Sequence, residues 1–213
     1  MNNIIGFIIS IIYIILVLSI SKVLTKKGEE VSRKFVHIAL CNIWFIYLMF
    51  VDSIIWASIL PAVFVVINAL SYKFKIIKSM EREENDGFGT VYYAISILIV
   101  VLISYFKNNV LLGLPGMLIM GYGDGFAAIL GQKIKSKQYT IGGTTKSIAG
   151  SITMFIISLI ISVIVLKILG VNFLIVKALG ISIISTLLEA VSIKGLDNIT
   201  VPVIVTILTI LAI

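Results

Sequence analysis

The stretch Met1–Ser21, MNNIIGFIISIIYIILVLSIS, holds no charged residue, and Lys22, Lys26 and Lys27 follow it. A membrane-spanning helix needs about 20 predominantly apolar residues, so this segment is long enough to cross a bilayer. A secretory signal carries its positive charge ahead of the apolar run and ends in small residues at a cleavage site. Here the charge comes after the run and no such site is visible, so the segment is expected to remain as a helix. The rest of the chain has the same character. Of its 213 residues, 60% are hydrophobic and 13% charged, where ordinary soluble domains hold about 45–50% apolar and about 25% charged residues. One buried core cannot absorb an excess spread along the whole chain. The composition predicts an all-α, polytopic membrane bundle forming a single transmembrane domain over residues 1–213.

Apolar runs at roughly 3–21, 35–51, 53–72, 89–106, 109–130, 148–167, 171–190 and 199–213 predict eight spans. The second and third meet at Asp52 with almost no connection, which implies a tight antiparallel hairpin. Pro61 falls inside the third and is expected to kink it, the freed carbonyl being satisfied by neighbouring helices. The connections 21–34, 73–88, 131–147 and 191–198 hold 14 of the 17 Lys and Arg residues. The positive-inside rule puts these loops in the cytoplasm and both termini on the other side. Lys177 lies within the seventh span, near enough to its outer end to snorkel. The net charge of +7 is therefore read as topology and attraction to anionic headgroups or a polyanionic substrate, rather than to nucleic acid. Cys41 is the only cysteine, which leaves no disulfide and no cysteine-based zinc site.

The polar clusters all fall on the cytoplasmic side. A carrier places its polar groups near the midplane; a one-sided cluster suits an enzyme joining a soluble reagent to a lipid. In EEVSRKFVHIAL (29–40), helical spacing puts Arg33, Lys34 and His37 on one face. That face is either a run of Glu29–Arg33 and Glu30–Lys34 ion pairs with an interfacial histidine, or a phosphate clamp with a histidine proton donor. ENDGFGTVYYAIS (84–96) reads as an Asn85-Asp86-Gly87 turn before a helix opened by Gly89 and Thr90. In GYGDGFAAILG (121–131), Asp124 stands at a depth where a carboxylate is costly and marks function by default. Gly121 and Gly125 form a GxxxG pair suited to close helix packing, while Gly123 and Gly125 beside the aspartate also allow a phosphate–metal complex to approach the backbone. QKIKSKQYTIGGTTKSIAGS (132–151) offers Gly142, Gly143, Thr144, Thr145, Lys146 and Ser147 before a helix, a composition able to hold phosphates. It is not a P-loop, because Thr140 and Thr145 occupy the glycine positions and no strand is expected before it. In LLEAVSIKGLDNITVP (187–202), Glu189, Asp197 and Asn198 are oxygen ligands of the kind Mg²⁺ takes alongside nucleotide phosphates.

Taken in order, RKFVH (33–37), GTVYYAIS (89–96), GDGFAAILG (123–131), TTKSIAGS (144–151) and EAVSIKGLDNITVP (189–202) resemble the dolichol kinase and phytol kinase family of polyprenol kinases. The resemblance runs from about residue 28 to 202. It implies a polytopic enzyme that phosphorylates a long-chain alcohol such as phytol, farnesol, geranylgeraniol or a dolichol-type polyprenol, typically from CTP. A related branch acts on diacylglycerol. It implies catalytic roles for Asp124, His37 and Lys146, with Asp124 holding Mg²⁺ or receiving the alcohol proton. Glu189, Asp197 and Asn198 would complete the metal site. Arg33, Lys34, Lys133 and Lys146 would offset triphosphate charge, with Gly123, Gly125, Gly142, Gly143, Thr144, Thr145 and Ser147 beside the phosphates. The family's phosphate segment often reads Gly-Lys-Lys-Ser/Thr; this chain has Thr144-Thr145-Lys146-Ser147, which leaves ATP open as donor. Two other readings stand beside the kinase. A phosphatidate cytidylyltransferase would use the same reagents, but its Lys-Asp and His-Gly-Gly segments are absent. A transporter or scramblase would carry polar groups deeper in more of the helices.

Overall fold

The computed structural model of the chain describes residues 2–74 and 88–213. Helix α1 (Asn3–Leu24) is capped by the Asn2 side chain, which accepts from the Ile5 amide. A 3₁₀ turn, Thr25–Lys27, leads to Gly28, whose φ of 129° re-aims the chain into α2 (Glu29–Leu40). Glu29 and Glu30 then fill the first turn of α2, where acidic side chains oppose the helix dipole. A short break at Cys41 and Asn42 leads to α3 (Ile43–Phe50), and α4 (Ile54–Phe74) follows. Next come α5 (Gly89–Phe106), α6 (Leu114–Leu118), a π-helical turn (Ile119–Asp124) and α7 (Gly125–Lys133). Strands β1 (Gln138–Ile141) and β2 (Thr144–Ser147) precede α8 (Ile148–Ile168), α9 (Leu174–Val191) and α10 (Asp197–Ala212).

Among the described residues, seven helical stretches are long and apolar enough to cross a membrane, and α10 is a shorter apolar eighth. The all-α, multi-pass bundle expected from composition is therefore present. Two expected loops are not. Most of 21–34 is helical, and Arg33, Lys34 and His37 share α2, as their helical spacing predicts. Likewise 131–147 contains an antiparallel hairpin, pairing Tyr139 with Lys146 and Ile141 with Thr144. The apolar count overlooks so short a segment. Its β-branched and aromatic residues favour strands, and Gly142 and Gly143, at φ of 57° and 82°, supply the two positive dihedrals that a tight hairpin turn requires. Within 73–88, α4 extends to Phe74, and the Asn85-Asp86-Gly87 turn lies outside the described residues.

The stretch from the 3₁₀ turn Val110–Gly113 to α7 runs through the centre of the bundle, with Leu112–Gly121 buried throughout. Its Met117 and Met120 pack with Trp44, Tyr47, Val100 and Val101. Close approach to this stretch is possible because its glycines carry no Cβ. A methyl group on Gly121 would overlap Cys41, one on Gly125 would overlap Ile38, and one on Gly123 would lie 2.7 Å from Met154 Sδ. The glycine surfaces thus serve helix packing, against α2 on one side and α8 on the other. At the opposite end from the hairpin, the Asn3 amide donates to Asp52 Oδ1 at 2.6 Å and ties α1 to the α3–α4 turn. Lys177 stands in the first turn of α9. Its Nζ donates to the Ala212 carbonyl at 2.6 Å, satisfying a last-turn acceptor of α10.

Candidate active site

Asp124 closes the π-helical turn and is only 9% exposed. Two side chains of α2 reach its Oδ2: Lys34 Nζ and His37 Nε2, each at 3.2 Å. The i, i+3 spacing of Lys34 and His37 places both on the face that meets the turn. His37 Nε2 also lies 3.0 Å from the Met120 carbonyl. With two acceptors in front of it, Nε2 carries a hydrogen, and His37 donates. The Tyr93 hydroxyl donates to the His37 carbonyl at 3.0 Å, and the two rings lie 4.8 Å apart. Tyr93 is a positioning residue that sequence reasoning overlooked, although it stands inside the GTVYYAIS stretch. The ion pairs expected along α2 also shift register. Glu30 pairs with Arg33, three residues on, which leaves Lys34 to reach Asp124.

A second ion cluster faces the first. Lys146, on β2, donates to Glu189 Oε1 and to the Glu189 carbonyl, the latter at 2.6 Å, and Asp197 Oδ2 stands 3.6 Å away. Burial pulls the Lys146 ammonium towards deprotonation, but the Glu189 and Asp197 carboxylates outweigh it and hold the pKa above the usual lysine value. Asn198 donates through Nδ2 to the Gly89 carbonyl at 3.2 Å, joining the start of α10 to the start of α5.

Asp124, Glu189 and Asp197 each present an oxygen, all within 4.8 Å of one another. Like charges so close repel unless something between them is positive. Lys34 contacts Asp124, and Lys146 contacts Glu189 and Asp197. Two further oxygens in this region, Glu189 Oε2 and Asn198 Oδ1, are buried without a hydrogen-bond partner in the described structure. A buried unpaired oxygen is costly, and a hard divalent cation takes oxygen donors of this kind. The donor set fits Mg²⁺.

These groups line one wall of a cavity of about 1270 Å³. Its other end is apolar, bounded by Ile14, Ile43, Tyr47, Leu60, Phe64 and Ile97 from α1, α3, α4 and α5. One space therefore joins a polar, acidic and basic wall to an apolar recess.

The chain is 34% identical over 188 residues to a phytol kinase of Synechocystis, an alignment covering 84% of this chain and 78% of that protein. The chain belongs to the phytol kinase family. It is also 30% identical over 204 residues to phytol kinase 1, chloroplastic, of Arabidopsis thaliana, covering 84% of this chain and 66% of the relative. A probable phytol kinase 1, chloroplastic, of rice is 27% identical over 197 residues, covering 82% and 62%. The chain thus spans somewhat under two thirds of the rice protein's length. No family model and no solved structure matches the chain.

Against this family background, the remaining candidate residues divide. Arg33, Gly142, Gly143, Thr144, Thr145 and Ser147 line the same cavity as the ion clusters. The Ser147 hydroxyl already caps α8, accepting from the Gly150 amide at 3.1 Å and donating to the Gly131 carbonyl at 3.0 Å. Gly123, Gly125 and Lys133 do not line the cavity: the two glycines face neighbouring helices, and Lys133 is an exposed residue at the end of α7.

Proposed function

We propose that this protein transfers the terminal phosphoryl group of CTP to the hydroxyl of a membrane isoprenoid alcohol, phytol or a prenol like it, giving the monophosphate. Membership of the phytol kinase family makes it a phosphotransferase with an alcohol as acceptor. The observation that carries the finer reading is the single cavity, ionic at one end and apolar at the other. CTP as donor rests on the sequence resemblance. The cytoplasmic placement of the site, with both termini opposite, rests on the distribution of basic residues.

Phosphoryl transfer asks the protein mainly for positioning and for neutralisation of charge. The triphosphate would lie between the hairpin turn at Gly142–Gly143 and the α2 face, with Lys34, Arg33 and Lys146 offsetting its charge and Thr144 and Thr145 offering hydroxyls. Asp124, Glu189, Asp197 and Asn198 would hold Mg²⁺, which would supply positive charge to offset that of the triphosphate. His37 and Lys34 would orient Asp124 through Oδ2, leaving Oδ1 to receive the alcohol proton as the new phosphorus–oxygen bond forms, the β–γ phosphoanhydride bond breaks and CDP leaves. The hydrocarbon tail would occupy the apolar recess.

The test uses purified protein with CTP labelled separately at the α and γ phosphates, ATP as competitor, and a panel of prenols and diacylglycerol. Label from the γ position in a prenol phosphate is the expected result. Label from α would make the protein a cytidylyltransferase, and no label in any lipid would favour transport.

A further inference from the structure

The apolar recess has a floor. Along α4, the residues that face the cavity become less exposed from Tyr72, at 39%, to Leu60, at 9%. On α3, Tyr47 at the same deep end is 1% exposed, and Ile14, Ile43 and Ile97 around it are buried too. Beyond this floor α1 packs on α3 and α4. Phe7 packs edge-on against Trp56 with centroids 5.4 Å apart, Gly6 fits against Phe50 and Val51, and Asn3 bonds Asp52. The depth follows from helix geometry. From Tyr72 to Leu60 is twelve residues of α4, about 18 Å at 1.5 Å per residue. The recess thus reaches roughly half of the ~30 Å hydrocarbon core.

We propose that Tyr47 and Leu60 form a stop that sets the longest isoprenoid tail the enzyme accepts. The proposal rests on the kinase reading above and narrows it: the acceptor is a short isoprenoid alcohol of about phytol's length or less, and long polyprenols are excluded. The ring of Tyr47 does this by bulk. Its hydroxyl is buried with no hydrogen-bond partner in the described structure, so removing the oxygen alone leaves the stop intact.

The experiment measures kcat/KM with CTP for farnesol, phytol, geranylfarnesol and solanesol, in wild type and in Tyr47→Phe, Tyr47→Ala, Leu60→Ala and Leu60→Trp. Wild type is expected to use farnesol and phytol and to discriminate at least about tenfold against solanesol, the scale on which apolar pockets reject misfitting groups. Tyr47→Ala and Leu60→Ala raise the geranylfarnesol-to-farnesol ratio by a similar factor. Leu60→Trp lowers the phytol-to-farnesol ratio, and Tyr47→Phe matches wild type. Turnover of farnesol, which stops short of the floor, reports that each variant is folded. If wild type turns over solanesol as well as phytol, or if all variants keep the wild-type profile, the stop is refuted while the kinase reading stands. If wild type phosphorylates none of the alcohols, both fall.

Discussion

The ammonium of Lys146 is bound twice by one residue, donating to the side chain and to the main-chain carbonyl of Glu189. This joins the hairpin to the last turn of α9, although the two residues stand 43 apart in the chain. Only 14% of the Lys146 side chain and 6% of the Glu189 side chain are exposed, so this is an interior pair.

Removing one partner of a buried ion pair leaves the other charge uncompensated and costs about 3–5 kcal/mol. Lys146→Met is therefore expected to lower the thermal stability of the detergent-solubilised protein and to abolish CTP-dependent turnover. The pKa of Lys146 is raised above the usual 10.5, so its contribution is complete below that value and is lost only as pH climbs through the higher folded value. Between about pH 7 and pH 9 Lys146 should therefore stay charged and wild type should remain more stable than Lys146→Met, measured by heating and size-exclusion detection.

Asp124→Asn keeps the shape of the residue and removes its charge. Turnover should fall by about 10²–10⁴-fold, the worth of a positioned proton acceptor, with membrane insertion unchanged. A variant with near-normal activity would remove Asp124 from the chemistry.

Glu189→Gln and Asp197→Asn each take one charged oxygen from the acidic cluster. The Mg²⁺ concentration for half-maximal activity should rise by at least about tenfold, since even outer partners of a metal site are worth about 10–100-fold. Mn²⁺ binding to the purified protein, followed by electron paramagnetic resonance without nucleotide, provides a readout separate from turnover.

Gly121→Ala places a methyl group against Cys41. Overpacking of this kind costs about 1–3 kcal/mol and pushes α2, with Lys34 and His37, away from Asp124. Lower thermal stability together with reduced kcat is expected. Cys41→Ala, combined with Gly121→Ala, should recover part of both, because Cys41 supplies the nearest atoms.

Orientation is testable in a Cys41→Ala background. A cysteine replacing the exposed Lys137, beside the hairpin, should react with a membrane-impermeant maleimide only from the cytoplasmic side. One replacing the exposed Lys107, after α5, should react only from the other. The reverse pattern would overturn the placement of the active site.

Much of this was legible in the sequence, for a physical reason. Hydrocarbon leaves no water for an unpaired backbone, so a chain this apolar must fold as helices, and runs of about 20 apolar residues mark them. An aspartate in such a run is costly enough to stand out alone, which is how Asp124 is found without coordinates. Tertiary structure decided the partners. Helical spacing offered Glu30 to Lys34, and the structure gives it to Arg33 because Lys34 has Asp124, 90 residues away, to meet. Spacing left the glycines beside Asp124 between packing and phosphate access, and only the structure shows that an added Cβ on Gly121 or Gly125 would overlap Cys41 or Ile38. The hairpin escaped because four-residue strands are too short to show in hydropathy. The closed recess escaped because burial of Tyr47 and Leu60 depends on helices that the sequence lists but does not arrange. Solvent dictates which segments become helices; which faces meet depends on side chains distant in the chain fitting together, and no local pattern records that.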